Sequence, residues 1–140
     1  MGKIISTSEF SKLDKAHQNK LIIFCSLSID EINRAIDINN AVAEKIVKVK
    51  PERRTMKLEQ CFLQVLGDLP KRSLIAGIDV MFNPCYSVDV LRLLIDVYKK
   101  EPFDLLWPGR CENGKLYYSE EKYSDYKAYS IGDYDVTCVI

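Results

Sequence analysis

The run Lys20-Leu-Ile-Ile-Phe-Cys25 constrains this chain more than any other feature. Unbroken apolar character over so few residues, with polar residues on either side, describes a strand covered on both faces and placed near the centre of a sheet. Ser73 to Phe82 reads as a second buried strand that exits at Asn83-Pro84, and Phe103 to Trp107 as a third stopped by Pro108-Gly109. Lys115 to Tyr118 makes a fourth after the Asn113-Gly114 turn.

Between these runs apolar residues recur at helical spacing. Thr7 or Ser8 can cap a short first helix carrying Phe10, Leu13 and His17, and Ser28 with Glu31 has capping-box spacing before Ile36 to Ile38. Asn39 or Asn40 can cap a helix with Val42, Ile46 and Val49 on one side, ended by Pro51. From Thr55, the residues Leu58, Cys61, Phe62, Val65, Leu66 and Leu69 keep helical spacing until Gly67 and Pro70. Ser87 opens a helix whose apolar residues, Val88 to Tyr98, nearly encircle its axis. Strands interleaved with helices predict an α/β fold, a mostly parallel sheet with helices on both faces. The apolar tail, Tyr134 to Ile140, is expected as an antiparallel edge strand that could also pair with a second copy of the chain. With no linker and no repeat, residues 1–140 read as one domain, long enough to fold without a metal or disulfide.

Charge and cysteine usage narrow the function classes. Twenty Lys+Arg balance twenty Asp+Glu, so the whole chain has no net attraction to nucleic acid or an anionic membrane. Its five cysteines form no C-x-x-C pair, and His17 is the only histidine, which suits free thiols in a reducing compartment and no zinc cluster or other cofactor. Lacking a signal-peptide core and a membrane-length apolar run, the chain is expected to be cytoplasmic and not membrane-bound. No G-x-S-x-G elbow is present, and no catalytic residue is assigned. Asp104, Asp125 and Lys127 have the residue types of a metal-dependent nuclease at a spacing common by chance. Lys45, Lys48, Lys50, Arg53, Arg54 and Lys57 lie close together with Glu52 the only acid among them, giving this segment about +5 and the remainder about −5. Lys50, Arg53, Arg54 and Lys57 are therefore the candidate contacts for a phosphate or an acidic partner, with forked donors on the two arginines. Trp107 and Arg110, flanking Pro108-Gly109, are candidate contact residues at a second place.

From Asn39 onward the chain resembles the small P-loop proteins of bacterial BREX phage-exclusion systems, the BrxF family. The matching stretches are Ile38-Asn-Asn-Ala-Val-Ala-Glu-Lys-Ile46, Pro51-Glu-Arg-Arg54, Ile78-Asp-Val-Met-Phe-Asn-Pro84, Asp89-Val-Leu-Arg-Leu-Leu94, Trp107-Pro-Gly109, Asn113-Gly-Lys-Leu-Tyr-Tyr-Ser119 and Asp125-Tyr-Lys127. The resemblance implies a P-loop or RecA-like core and a role in phage defence beside larger partner proteins. The chain departs from the pattern at the nucleotide site. A phosphate loop needs glycines and a Lys-Ser/Thr at a helix start, whereas Ser26-Leu-Ser-Ile-Asp-Glu31 follows the first strand, and Ala76 precedes Asp79 where an acidic pair would stand. The expected function is a non-catalytic, protein-binding subunit or regulator of a phage-defence system, a degenerate P-loop protein. Two alternatives are a nucleic-acid-binding module or nuclease using residues 45–57, and an NTPase with an unconventional nucleotide site.

Overall fold

The fold is described from a computed structural model, which covers residues 2–12 and 19–140. Leu13 and His17 of the expected first helix lie outside the described residues. Six parallel strands form the main sheet: β1 (Lys3–Ile5), β2 (Leu21–Phe24), β3 (Ile36–Asp37), β4 (Leu74–Ala76), β5 (Asp104–Leu106) and β9 (Val136–Val139), in the order β1-β9-β2-β5-β4-β3. The α/β class and the parallel sheet are as the sequence predicts. The tail is not an antiparallel edge. β9 runs parallel between β1 and β2, with all four residues buried, so it has no free edge to offer a second copy. Its apolar residues on both faces are the mark of an interior strand, and Lys3-Ile-Ile5, too short to be recognised as a strand, takes the edge.

Among the described residues five α-helices connect these strands: α1 (Thr7–Ser11), α2 (Ile29–Arg34), α3 (Asn39–Val47), α4 (Arg54–Gly67) and α5 (Val90–Lys100). Ser6, not Thr7 or Ser8, caps α1, because Glu9 three residues on completes a reciprocal capping box with it. Likewise Asp89 replaces Ser87 as the cap of α5, accepting from the Arg92 amide at 3.0 Å, while Ser87 turns the chain in a left-handed conformation. Asn39 does not cap α3; its side chain accepts instead from the Val80 amide at 2.9 Å and ties α3 to the chain beyond β4. That chain is a 3₁₀ turn, Asp79–Phe82, reached through Gly77 at φ 70, where a Cβ would strike the Asp37 carboxylate. The second strand therefore ends at Ala76, well short of the expected Phe82.

Because side chains alternate across a strand, the sheet sorts its residues into two faces. Leu21, Ile23, Ile75, Leu105, Val136 and Cys138 meet α3, α4 and α5 in the large core. The other face carries Ile5, Ile22, Phe24 and Val139, and is packed by Phe10 of α1, Leu27, Leu74 and Leu106. Phe10 stands edge-on to Phe24 with ring centres 5.1 Å apart. No helix among the described residues is long and apolar enough to cross a membrane.

Between β5 and β9 the chain builds a second sheet of three antiparallel strands, β6 (Arg110–Glu112), β7 (Lys115–Tyr118) and β8 (Lys127–Ser130), so Lys115 to Tyr118 does not join the main sheet. Asn113 and Gly114, both at positive φ, make the tight β6–β7 turn. Trp107 joins the two sheets. It is 3% exposed, extends β5 by donating its amide to the Phe24 carbonyl, and donates indole Nε1 to the Tyr117 carbonyl at 2.8 Å. Its ring lies edge-on to Phe82 and Tyr129, and Phe82 in turn stacks on Tyr118 with centres 3.8 Å apart. A Cβ on Gly109 would collide with the same Tyr117 carbonyl, so the turn after Trp107 must be glycine for the sheets to close.

Two tests follow from this seam. Trp107→Ala should cost about 3–5 kcal/mol of stability in urea unfolding, the usual loss for deleting a large buried ring. The phenols of Tyr118, Tyr129 and Tyr134 are each pushed up to about 12, chiefly by burial and then, for Tyr118, by Asp79, and, for Tyr129 and Tyr134, by Asp89. Since the folded state holds these protons more tightly than an unfolded chain, with its ordinary value near 10, their contribution is complete below pH 10. It is lost as pH rises towards 12. A melting temperature that falls steeply above pH 10 is expected, with phenolate absorbance appearing alongside unfolding.

Candidate functional site

The carboxyl ends of β2 and β5 are where an open α/β sheet of this order is expected to bind a ligand, because their outgoing connections leave in opposite directions. Here that place is filled. Cys25, just past β2, is in thiol contact with Cys138 of β9 and Cys111 of β6, and Trp107 closes the end of β5. Hydrogen bonding to Cys138, together with burial, pushes the Cys25 thiol far up; burial pushes Cys111 up to about 11. Thiols held protonated in this way are poor nucleophiles and act as packing.

The turn that follows β2 cannot cradle a phosphate. Ser28 Oγ accepts from the Glu31 amide at 3.2 Å and donates to the Glu31 carboxylate at 3.0 Å, which places a negative charge over the start of α2. A phosphate-binding helix start needs free amides and a cation there. α2 itself buries none of its six residues, and Ile29 and Ile32 face outward, 76% and 44% exposed. Beside it, on the face of the sheet that carries Ile5 and Phe24, lies a cavity of about 500 Å³ lined by Phe10, Phe24, Ser26, Leu27, Glu31 and Asp104, among others. Glu31 and Asp104 both stand on its wall.

Ala76 ends β4, whereas Asp79, expected on the same strand, lies in the 3₁₀ turn beyond it. Asp79 accepts from the Tyr118 hydroxyl at 3.2 Å, and Asp37 accepts from the Asn39 amide at 2.9 Å, so both carboxylates serve local structure. Asp125 lines the hollow beside Asp79, whereas Asp104 lines the cavity near α2. The structure therefore does not gather Asp104 with Asp125 and Lys127. Among the described residues no group of three or more His, Cys, Asp and Glu side chains is placed to hold a metal ion.

The basic segment divides in two. Arg54 turns inward: Nε donates to the Val49 carbonyl at 2.9 Å and Nη2 to the Val47 carbonyl at 3.1 Å, satisfying carbonyls that the end of α3 leaves open. It is a clamp between α3 and α4 and not a forked donor for a ligand, which corrects its place among the candidate contacts. Lys50, Arg53 and Lys57 do come together. With Lys45, Val49, Gln60, Cys61 and Gln64 they line a groove of about 350 Å³ between the end of α3 and one side of α4. Lys57 donates to Gln60 at 3.3 Å, and Lys45 and Lys57 both draw down the Cys61 thiol, which burial nonetheless keeps raised. Lys45, Gln60 and Gln64 were not singled out from the sequence as contacts. The helical spacing of Arg53, Lys57, Gln60 and Gln64 is the signal that places them together.

Trp107 and Arg110 belong elsewhere. Trp107 is structural, as above, and Arg110 lies over the Tyr117 ring at 4.5 Å, pairs with Glu112 at 3.6 Å and donates to the Ser119 carbonyl at 3.5 Å. Neither lines the groove. If Arg54 is the clamp described, Arg54→Ala should lower stability in urea unfolding by about 1–2 kcal/mol, the range for losing charge-assisted bonds at a partly exposed site. Arg54→Lys should recover little of it, since one ammonium cannot reach both carbonyls. Compared with protein-family sequence models, curated proteins and solved structures, the chain matches none of them.

Proposed function

We propose that this chain is a non-catalytic, protein-binding subunit or regulator of a bacterial phage-defence system of the BREX type, working in the cytoplasm beside larger defence proteins. The observation that carries the reading is the state of the sheet face beside α2. Where a nucleotide-binding relative would send a phosphate loop and a full crossover helix over β2, this chain spends only Cys25 to Ala35, and its short helix buries nothing. The result is a cavity in which Phe10, Phe24 and Leu27 stand beside Ser26, Ser28, Glu31 and Asp104, next to a helix that turns Ile29 and Ile32 outward, a surface that a partner segment can complete. Glu31 over the helix start and the filled strand ends speak against a nucleotide in the same place.

The resemblance of residues 38–127 to the BrxF family supplies the defence setting, and the structure supplies the reason to expect contact in place of catalysis. Calorimetry with magnesium and ATP or GTP should give no binding tighter than about 100 μM, an affinity of roughly −5.5 kcal/mol; tighter binding overturns the non-catalytic reading. Recovered from its native host, the full chain should bring down other proteins of the same defence cluster, and the pair Ile29→Asp and Ile32→Asp should lose them. Recovery of the chain alone overturns the contact reading.

A further inference from the structure

We infer that the groove between the end of α3 and α4 binds the phosphate backbone of a double-stranded nucleic acid, independently of its sequence. Four cations, Lys45, Lys50, Arg53 and Lys57, line this groove, and none of its eight lining residues is acidic. In a chain of zero net charge this is a concentrated field, balanced by acids placed elsewhere. Arg54 strengthens the case by its absence from the groove. Its bonds to the carbonyls of Val47, the last residue of α3, and of Val49 just beyond hold the end of α3 against the start of α4, so the surrounding cations are carried on a fixed frame.

The shape selects the ligand. Arg53, Lys57, Gln60 and Gln64 follow one another at intervals of four, three and four residues along one stripe, a span of roughly 16 Å at about 1.5 Å per residue. Phosphates of one duplex strand advance about 3.4 Å along the axis each, so the stripe faces roughly five of them. The cations neutralise the phosphates, and the Gln60 and Gln64 amides can donate further along the same line. No aromatic side chain lines the groove, which removes the stacking platform that a single strand requires. A concave site also favours a ridge of backbone over a flat bilayer.

The test uses the full chain and a fluorescently labelled 20-bp DNA duplex of arbitrary sequence, with anisotropy measured across a salt series. With four phosphates neutralised, the logarithm of the binding constant should fall against the logarithm of salt with a slope of about −3 to −4. Lys50→Gln with Arg53→Gln should flatten that slope by about two, and Lys50→Glu with Arg53→Glu should weaken binding at least tenfold at low salt. Lys115→Gln with Lys122→Gln, on the small sheet and the loop after it, should leave the slope unchanged. The inference is overturned by no duplex binding at low salt, by a slope shallower than about −1, or by groove and control pairs acting alike. Tighter binding to the single strand, or to phosphatidylserine vesicles, overturns it as well. The glutamine pair keeps the test open if charge reversal prevents folding. None of these outcomes depends on nucleotide affinity or on partner recovery, so this inference and the proposed function stand or fall separately.

Discussion

The demand made by β2 organises the rest of the molecule. Leu21, Ile22, Ile23 and Phe24 are all buried, so the strand must be covered on two faces and bonded along two edges. The edges are met by β5 and β9. One face is met generously, by three helices whose apolar residues merge into a continuous core. Among the described residues the other is met by a five-residue helix, α1, and the turn after β2. The cavity beside α2 opens on that second face.

How far the sequence reveals this depends on how local the determining contacts are. β2, β5, α4 and α5 were legible because each carries a complete pattern within its own length, and the Asn113-Gly114 turn because its backbone demands are written in two residues. β9 was misread because an apolar strand does not say which neighbours it will have; its place between β1 and β2 is set by partners far away in the chain. The caps of α1 and α5 moved by a residue or two, since several hydroxyls and a carboxylate compete there and only the bond geometry chooses. Arg54 was misassigned for a related reason. A run of cations looks uniform in sequence, but the two carbonyls left open at the end of α3 single out one of them for internal use.

The small antiparallel sheet closes one end of the main sheet. In an open α/β sheet the carboxyl ends of the central strands form a crevice unless something covers them. Here Trp107, Cys25, Cys111 and the stacked pair Phe82 and Tyr118 occupy that end, with the indole N–H and the surrounding backbone bonded across the seam. What would be a ligand crevice is thereby converted into core, while open hollows lie on the flank of the sheet and along α4 among other places.

The position of β9 also governs the order in which this chain can fold. β1 has a single strand neighbour, and that neighbour is β9: Lys3 pairs with Thr137, Ile4 with Cys138 and Ile5 with Val139. β1 thus waits for its partner until more than a hundred further residues have been added. On the ribosome, β2 to β5 can assemble as a four-stranded sheet whose β2 edge stays open, and the closing event inserts β9 into the gap while gathering β1 onto its far side. Such late, long-range closure is slow, because the loop entropy is lost before any of its contacts are gained. Until it happens, the open edge of β2 is the part of the molecule most exposed to pairing with the wrong strand.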